Sequence, residues 1–504
     1  VPGYPRPRTV DACSTTGLAA LVGAAAPVPE AAVTGVTHAS SDVRPGDLYA
    51  ALPGARRHGA EFAAAAAAAG AVAALTDPAG RERVEAVGLA TIVVDDPRAA
   101  LGTLAARVYG DPTARLRVIG VTGTAGKTST AYLIESGLRL AGRRTGMIGT
   151  VETRLGEETL DSVRTTPEAP DLQALFAVAV ERGVDTVAME VSSHALAMGR
   201  VTGTRFAVGG YTNFGLDHLD FHDDVDDYFA AKARLFDGRC RVEVLNHDDP
   251  ALVPLRRPAT VTYSAAGDPA ATWRAVDLRP DGYRQRFTVL GPDGVRLPAA
   301  LALPGRHNVA NALLALCCLV AVGVDPAVAV EGIAGCGGVP GRMERVAPDS
   351  PVLGVVDYAH KPDAIVAVLA ALRDTAAGHR LICVVGAGGD RDRAKRPLMG
   401  AAAARGADLV LVTDDNPRGE DPAAIRAEVL AGARGAGGAE VVEVAGRREA
   451  IVRAVARARA GDVVAVLGKG HERGQEAGGV VQEFDDRVEL AAALTARSVP
   501  AGGR

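Results

Sequence analysis

Short β-branched runs alternate with longer Ala-rich stretches of helical spacing along most of the chain. That alternation predicts α/β architecture with parallel sheets. The pattern is clearest over residues 346–504. Five apolar runs, Val352–Val356, Leu381–Val385, Leu409–Val412, Val441–Val444 and Val463–Leu467, recur there with helical segments between them, which predicts a doubly wound, mostly parallel sheet. Over 114–345, strands are predicted at Arg115–Ile119, Asp185–Met189 and Phe206–Thr212, and helices at Ala131–Leu140 and Asp226–Phe236. A long apolar helix is capped by Pro304–Asn311. Over 1–113, Leu48–Leu52 reads as a strand and Glu61–Gly70 as a helix, with Asp111-Pro112 as the boundary.

Polar clusters sit where these runs end. Gly120-Val-Thr-Gly-Thr-Ala-Gly-Lys-Thr-Ser-Thr130 follows a strand and opens a helix. Such a turn gathers backbone N–H groups and a positive helix end around one small volume, which suits phosphate. Gly123, Thr124, Ala125, Gly126, Lys127, Thr128 and Ser129 are the phosphate-loop candidates, with Lys127 reaching the outer phosphates of a nucleotide and the Thr128 hydroxyl a magnesium ion. The strict eight-residue loop asks for Gly where Val121 stands, so this is a shorter variant. Glu190 and His218 lie at the carboxyl ends of neighbouring strands, where magnesium-site residues are expected. Lys232, on an apolar helix, reads from its surroundings alone as a snorkelling lysine. His307, Asn308 and Asn311 offer an imidazole and two amides, suited to a base, a ribose or a helix cap. In 346–504, four runs end in Asp357-Tyr-Ala-His360, Gly386-Ala-Gly-Gly-Asp-Arg391, Asp414-Asp-Asn-Pro-Arg418 and Gly468-Lys-Gly-His-Glu472. Open α/β sheets bind ligands there. Arg391 and Arg418 can clamp carboxylates, and Asp415 or Glu472 can take an ammonium. An amino acid is the expected ligand.

Composition sharpens two points. Net charge is −5 with no basic block, so no nucleic-acid partner is expected. The apolar stretch Ala312–Val324 is too short to cross a bilayer, and with no signal-like start a cytoplasmic protein without membrane association is expected. The six cysteines form no CxxC pair and read as buried thiols. Of 55 basic residues only five are lysines, at 127, 232, 361, 395 and 469. A lysine that survives such a bias toward Arg marks places where a compact ammonium, or an amine able to lose its proton, is needed.

Together these residues resemble the Mur ligases over nearly the whole chain. Thr122–Thr128, Glu190-Val-Ser-Ser-His194, Asp217-His-Leu-Asp220, Gly305-Arg-His-Asn308 with Asn311, and Gly341-Arg342 are similar to the family at large. Asp357–His360, Gly388–Asp392, Asp415–Arg418 and Gly468–Glu472 are similar to its diaminopimelate-adding branch. The resemblance implies a UDP-substrate domain (1–113), a central P-loop-type ATPase domain (114–345) and a C-terminal Rossmann-like amino-acid domain (346–504). It implies an ATP- and Mg2+-dependent ligase, expected as a monomer. The enzyme would phosphorylate the D-glutamyl carboxylate of UDP-MurNAc-L-Ala-D-Glu and pass the acyl group to 2,6-diaminopimelate. It further implies Lys127, Glu190, His218 and Lys232 as catalytic residues, and Thr128, Glu190, His218 and a carbamylated Lys232 as metal-site residues. His307, Asn308, Asn311, Arg342 and Asp357 would join the ATP loop. Ser40, Ala55, Arg56, Arg57, Thr165, Thr166, Ser192 and Arg200 would contact the UDP substrate. Arg391, Asp415, Asn416, Pro417, Arg418, Gly468 and Glu472 would hold the amino acid, with Arg418 selecting its distal carboxylate. Alternatives of the same chemistry are a lysine-adding relative or a folylpolyglutamate synthetase-like ligase; a nucleotide-gated binding protein is the non-enzymatic one. The chain departs from the family pattern at Ala39, Ser41, Arg164, Met198 and Leu216, and Lys361 replaces a usual Thr.

Overall fold

A computed structural model describes residues 4–24 and 28–498. The chain forms two compact units, 1–263 with 314–332, and 264–313 with 333–504.

The first unit contains a two-stranded ribbon, Cys13–Ser14 with Ala32–Val33, and two larger sheets. A four-stranded parallel sheet runs in the order Gly35–Thr37, Asp47–Ala50, Ala73–Thr76, Ala90–Val93. In place of one helix over 61–70 there is a 3-10 turn, Gly59–Phe62, and a short helix, Ala63–Ala68. The His58 ring accepts from Ala60 N and Glu61 reaches back to His58 N, which fixes that start. The larger sheet centres on Arg117–Thr122, flanked in parallel by Thr186–Glu190 and Phe206–Tyr211. The central strand begins two residues later than its apolar run suggests and ends three later. Arg115 closes the 3-10 turn Pro112–Ala114, whereas Thr122 stays in the sheet by pairing with Tyr211.

The second unit holds a six-stranded sheet in the order Glu344–Val346, Leu353–Asp357, Val463–Leu467, Leu381–Val385, Leu409–Val412, Glu440–Glu443. All its pairings are parallel except that of Glu344–Val346. Leu381–Val385, Leu409–Val412 and Val463–Leu467 are strands with the bounds their sequence predicts. A core of Val356, Ile382, Val384, Leu411, Ile451, Val464 and Val466 packs on one face. The order reverses in chain direction between Val463–Leu467 and Leu381–Val385, so their carboxyl ends flank a switch point. An antiparallel meander, Trp273–Asp281, Arg284–Leu290 and Arg296–Leu301, belongs to the same unit.

Candidate active site

In the first unit the site begins where Arg117–Thr122 turns into the helix Lys127–Leu140. The helix starts four residues before its apolar periodicity does, so Lys127, Thr128 and Ser129 form its first turn, where N–H groups lack intrahelical partners. Two glycines make the turn possible. Gly126 has φ 88°, and Gly123 has φ 137° and lies against Thr212, whose Oγ1 would stand 1.8 Å from a Cβ there. The loop is braced from the next strand: Asn213 Oδ1 accepts from Ala125 N at 3.1 Å, and Thr212 Oγ1 donates to Ala125 O at 2.6 Å.

Two of the five lysines meet on this loop. Lys127 Nζ donates to Gly123 O at 2.8 Å and to Thr124 O at 3.1 Å. Lys232 Nζ donates to the same Gly123 oxygen at 2.9 Å and sits over the Tyr228 ring. Lys232 is fully buried on the helix Val225–Ala233, so it is not a snorkelling residue. Two ammonium groups on one carbonyl concentrate positive charge that a bound anion would offset.

Glu190 is the last residue of its strand and is buried. Its carboxylate accepts from Thr128 Oγ1 at 3.0 Å, Thr150 N at 2.7 Å and Thr150 Oγ1 at 3.1 Å. Thr150 was given no role by sequence, and nothing in its surroundings there marks it. Thr150 Oγ1 also lies 3.0 Å from Thr165 Oγ1, while Thr166 Oγ1 donates to Glu190 O at 2.9 Å and accepts from Ser192 N at 3.1 Å. Arg200 donates to Thr166 O and pairs with Glu168 at 2.8 Å. Thr165, Thr166, Ser192 and Arg200 are thus brought to Glu190. Ser40 and the exposed Ala55, Arg56 and Arg57 lie on loops of the four-stranded sheet. Arg57 is held by Glu61 at 2.8 Å and stacks on Phe62. Among the described residues no hydrogen bond joins these loops to the Thr166 group.

His218 has φ 53°, pairs with Asp217 at 3.0 Å and meets the His194 ring edge-on at 4.7 Å. His194 stacks on Phe221, and burial holds it neutral, pushed down to about 4.

Among the described residues no three His, Cys, Asp or Glu side chains form a metal cage. Magnesium needs none, since it binds through one or two carboxylates and the substrate's phosphate oxygens. Glu190 with Thr128 fits that pattern. Lys232 fits beside them only as an uncharged or carboxylated amine, because an ammonium would repel the ion.

The helix Arg306–Ala321 opens with His307, Asn308 and Asn311, which belong to the second unit. Asn308 Nδ2 donates to Pro304 O at 2.7 Å and Asn311 Nδ2 to Asn308 Oδ1 at 3.2 Å, so Asn308 ties down the helix start. Arg342 stacks on Tyr358 at 4.4 Å and lies 3.4 Å from His471 Nδ1. Asp357 ends its strand with both carboxylate oxygens taken by backbone, from Met343 N at 2.7 Å and Ala359 N at 2.8 Å. Its carboxylate serves the chain in this arrangement, and burial pushes its pKa up.

The loops after Leu381–Val385, Leu409–Val412 and Val463–Leu467 converge on one cluster. Asn416 Nδ2 donates to Glu472 Oε2 at 2.9 Å. Lys469, wholly buried, donates to Asn416 Oδ1 at 2.9 Å and Glu472 Oε2 at 3.1 Å. Asp415 packs against Gly468, where a Cβ would stand 2.6 Å from its Oδ2. Arg418, following Pro417, has φ 51° and donates Nη1 to Gly389 O at 2.8 Å, with Nε 3.5 Å from Glu476. Arg391 is exposed on the same glycine loop. Sequence reasoning gave Lys469 no role, although lysine scarcity singled it out. Arg447 was missed entirely. Fully buried, it pairs with Asp486 at 2.7 Å and donates to Leu467 O at 2.9 Å, bracing the strand end beneath the cluster.

Burial pushes His307 down to about 4, and burial with the Arg342 charge pushes His471 down to about 3. Both fall below the ordinary value of about 6.5, so the unfolded chain binds more protons between the two values. Their contribution to stability is complete above about pH 6.5 and is lost as pH falls toward 4. A thermal melt at pH 5.5 is expected to show a lower midpoint than one at pH 7.5, with the difference reduced in His471→Gln.

A glycine-rich strand-to-helix loop under two lysines and a buried polar cluster at a sheet switch point have the layout of an α/β nucleotide-dependent ligase. The chain belongs to the Mur ligase family. It matches the Mur ligase family catalytic domain over residues 32–109, the Mur ligase middle domain over 121–319 and the Mur ligase glutamate ligase domain over 341–470. It is 55% identical over 500 residues to the UDP-N-acetylmuramoyl-L-alanyl-D-glutamate–2,6-diaminopimelate ligase of Streptomyces avermitilis, covering 98% of each chain. It is 48% identical to the enzyme of the same name from Corynebacterium glutamicum, covering 93% of each. A solved structure of a ligase with that name superposes with TM-score 0.68 at 34% identity, over 93% of this chain and 96% of the other. A MurF ligase from Thermotoga maritima in complex with ADP shares the fold, with TM-score 0.63 at 18% identity over 92% of this chain and 99% of the other.

Proposed function

We propose that the protein joins 2,6-diaminopimelate to the D-glutamyl carboxylate of UDP-MurNAc-L-Ala-D-Glu at the expense of ATP, in the synthesis of peptidoglycan precursors. The observation that carries the reading is the meeting of Lys127 and Lys232 on Gly123 O beside the buried Glu190. The relatives' names support the choice of substrates. A glutamyl carboxylate oxygen attacks the γ-phosphorus, the bond to the β-bridging oxygen breaks, and ADP leaves. The diaminopimelate amine, having lost a proton, then attacks the acyl carbon, and the C–O bond breaks to release phosphate. The chain supplies position and charge rather than covalent help. Lys127 neutralises the outer phosphates. Thr150 fixes the Glu190 carboxylate and Thr166 its backbone carbonyl, while the Thr165, Thr166 and Ser192 hydroxyls orient the dipeptide end with Arg200. Asn416 and Glu472, held by Lys469, take the ammonium end of diaminopimelate, and Arg418 with Arg391 takes its carboxylates.

Magnesium, held by Thr128, Glu190, His218 and a carbamylated Lys232, would supply charge neutralisation for the phosphates. His307, Asn308, Asn311, Arg342 and Asp357 are assigned to the nucleotide, and Ser40 with 55–57 to the uridine diphosphate, on their motifs alone. We assign UDP-substrate, ATP and amino-acid work to 1–113, 114–345 and 346–504, and expect a cytoplasmic monomer. No helix among the described residues is long and apolar enough to cross a membrane.

The reaction is tested by mass spectrometry of the product. A species carrying both the dipeptide and diaminopimelate, formed one for one with ADP, is expected. ATP turnover that needs neither organic substrate would contradict it. Lys232→Arg keeps the charge but removes an amine that can be carbamylated, and is expected to lower kcat about 100-fold. Near-normal kcat in that variant would remove Lys232 from the metal site. Lys469→Met strips two hydrogen bonds to charged or amide partners, each worth about 1–3 kcal/mol. It is expected to raise KM for diaminopimelate about tenfold or more while leaving KM for ATP unchanged.

A further inference from the structure

At the opposite end of the larger sheet from the phosphate loop lies a half-open pocket of about 520 Å³ whose lining includes four arginines and two glutamates. Arg139 enters it from the last turn of Lys127–Leu140, Arg143 and Arg144 from the residues just before the strand Thr145–Ile148, and Arg182 from the end of the helix Ala169–Glu181. Glu157 and Glu158 are its acidic lining residues, so four guanidiniums face two carboxylates. Some of that charge is already matched. Arg139 pairs with Glu135 at 3.4 Å, and Arg182 pairs with Glu158. The rest is not. Among the described residues no carboxylate lies within ion-pair distance of the Arg143 or Arg144 guanidinium, and Arg182 Nη1 is buried with no hydrogen-bond partner. Gly183, at φ 72°, leaves room for the Arg144 side chain, since a Cβ there would stand 2.6 Å from its Nη1.

We propose that this cavity is a second anion site, one that takes a phosphoryl group through Arg143 and Arg144. Helix carbonyl ends attract cations to such places, which accounts for Arg139 and Arg182. It does not account for two further guanidiniums converging without carboxylates. Guanidinium forks match phosphate oxygens bidentately, and the volume suits a ligand from pyrophosphate to a mononucleotide. The helix Lys127–Leu140 joins the two sites, its start at the phosphate loop and its last turn at the cavity, about 20 Å apart along the axis.

The test is calorimetric titration of phosphate, pyrophosphate and AMP, each alone, at fixed ionic strength and without magnesium. The protein is the full chain carrying Lys127→Ala, so that the phosphate loop is weakened. Saturable one-to-one binding of at least one of the three is expected. It should weaken at least tenfold when Arg143→Gln and Arg144→Gln are added, and less when both become Lys. Tighter binding of AMP than of pyrophosphate would identify a nucleotide as the source of the phosphoryl group, and the reverse order the free anion. Absence of saturable binding by all three, or binding untouched by the Gln substitutions while both proteins melt at the same temperature, overturns the proposal.

Discussion

Lys127→Ala is expected to lower kcat by about 10²–10³-fold, with the fold intact. Removing one preorganised charge or donor from a phosphoryl-transfer site typically costs about 10²–10³ in rate. Lys127 also answers a second positive group: with its ammonium gone, Lys232 alone remains on Gly123 O. The helix does not depend on Lys127, because Asn213 and Thr212 brace the loop through Ala125. Steady-state ADP release and a thermal melt on the same preparation check both halves. A melt unchanged with turnover nearly normal would contradict the role of Lys127.

Arg418→Ala is expected to show the largest effect on selectivity. The guanidinium is fixed from three sides, by the left-handed backbone at φ 51°, by Gly389 O and by Glu476. A fixed fork loses little entropy on meeting a carboxylate. Truncating one member of such a charge pair costs about 2–5 kcal/mol, roughly 30-fold to several-thousandfold in kcat/KM for diaminopimelate. Lysine, without the distal carboxylate, should lose far less, so the preference between the two acceptors should shrink. An equal loss for both would mean that Arg418 holds the loop and not the substrate.

The parallel sheet of the second unit was legible because both of its faces are covered and its strands read as unbroken aliphatic runs, as at Leu381–Val385. The phosphate loop was legible because its glycines and Lys127 are adjacent in sequence. Its helix start was not, since Lys127-Thr-Ser-Thr130 carries no apolar period although all but Lys127 are buried. Glu190 was read as emerging after its strand, whereas it is the last paired residue, opposite Val121. What sequence could not show are the long-range ties. Thr150 meets Glu190 across 40 residues and Lys469 meets Asn416 across 53. Arg447 and Asp486 bury each other's charge across 39. A lone threonine or arginine has no local signature for such a partner. Lysine scarcity was the one compositional clue that reached this far, and Lys232 and Lys469 are both found buried against site residues.

Phosphate release with ATP, magnesium and UDP-MurNAc-L-Ala-D-Glu, measured with diaminopimelate or lysine as acceptor, puts reaction and specificity to one test. Rapid release with diaminopimelate and little with lysine is expected. Equal release with the two would contradict the role given to Arg418, and no release with either would contradict the ligase itself.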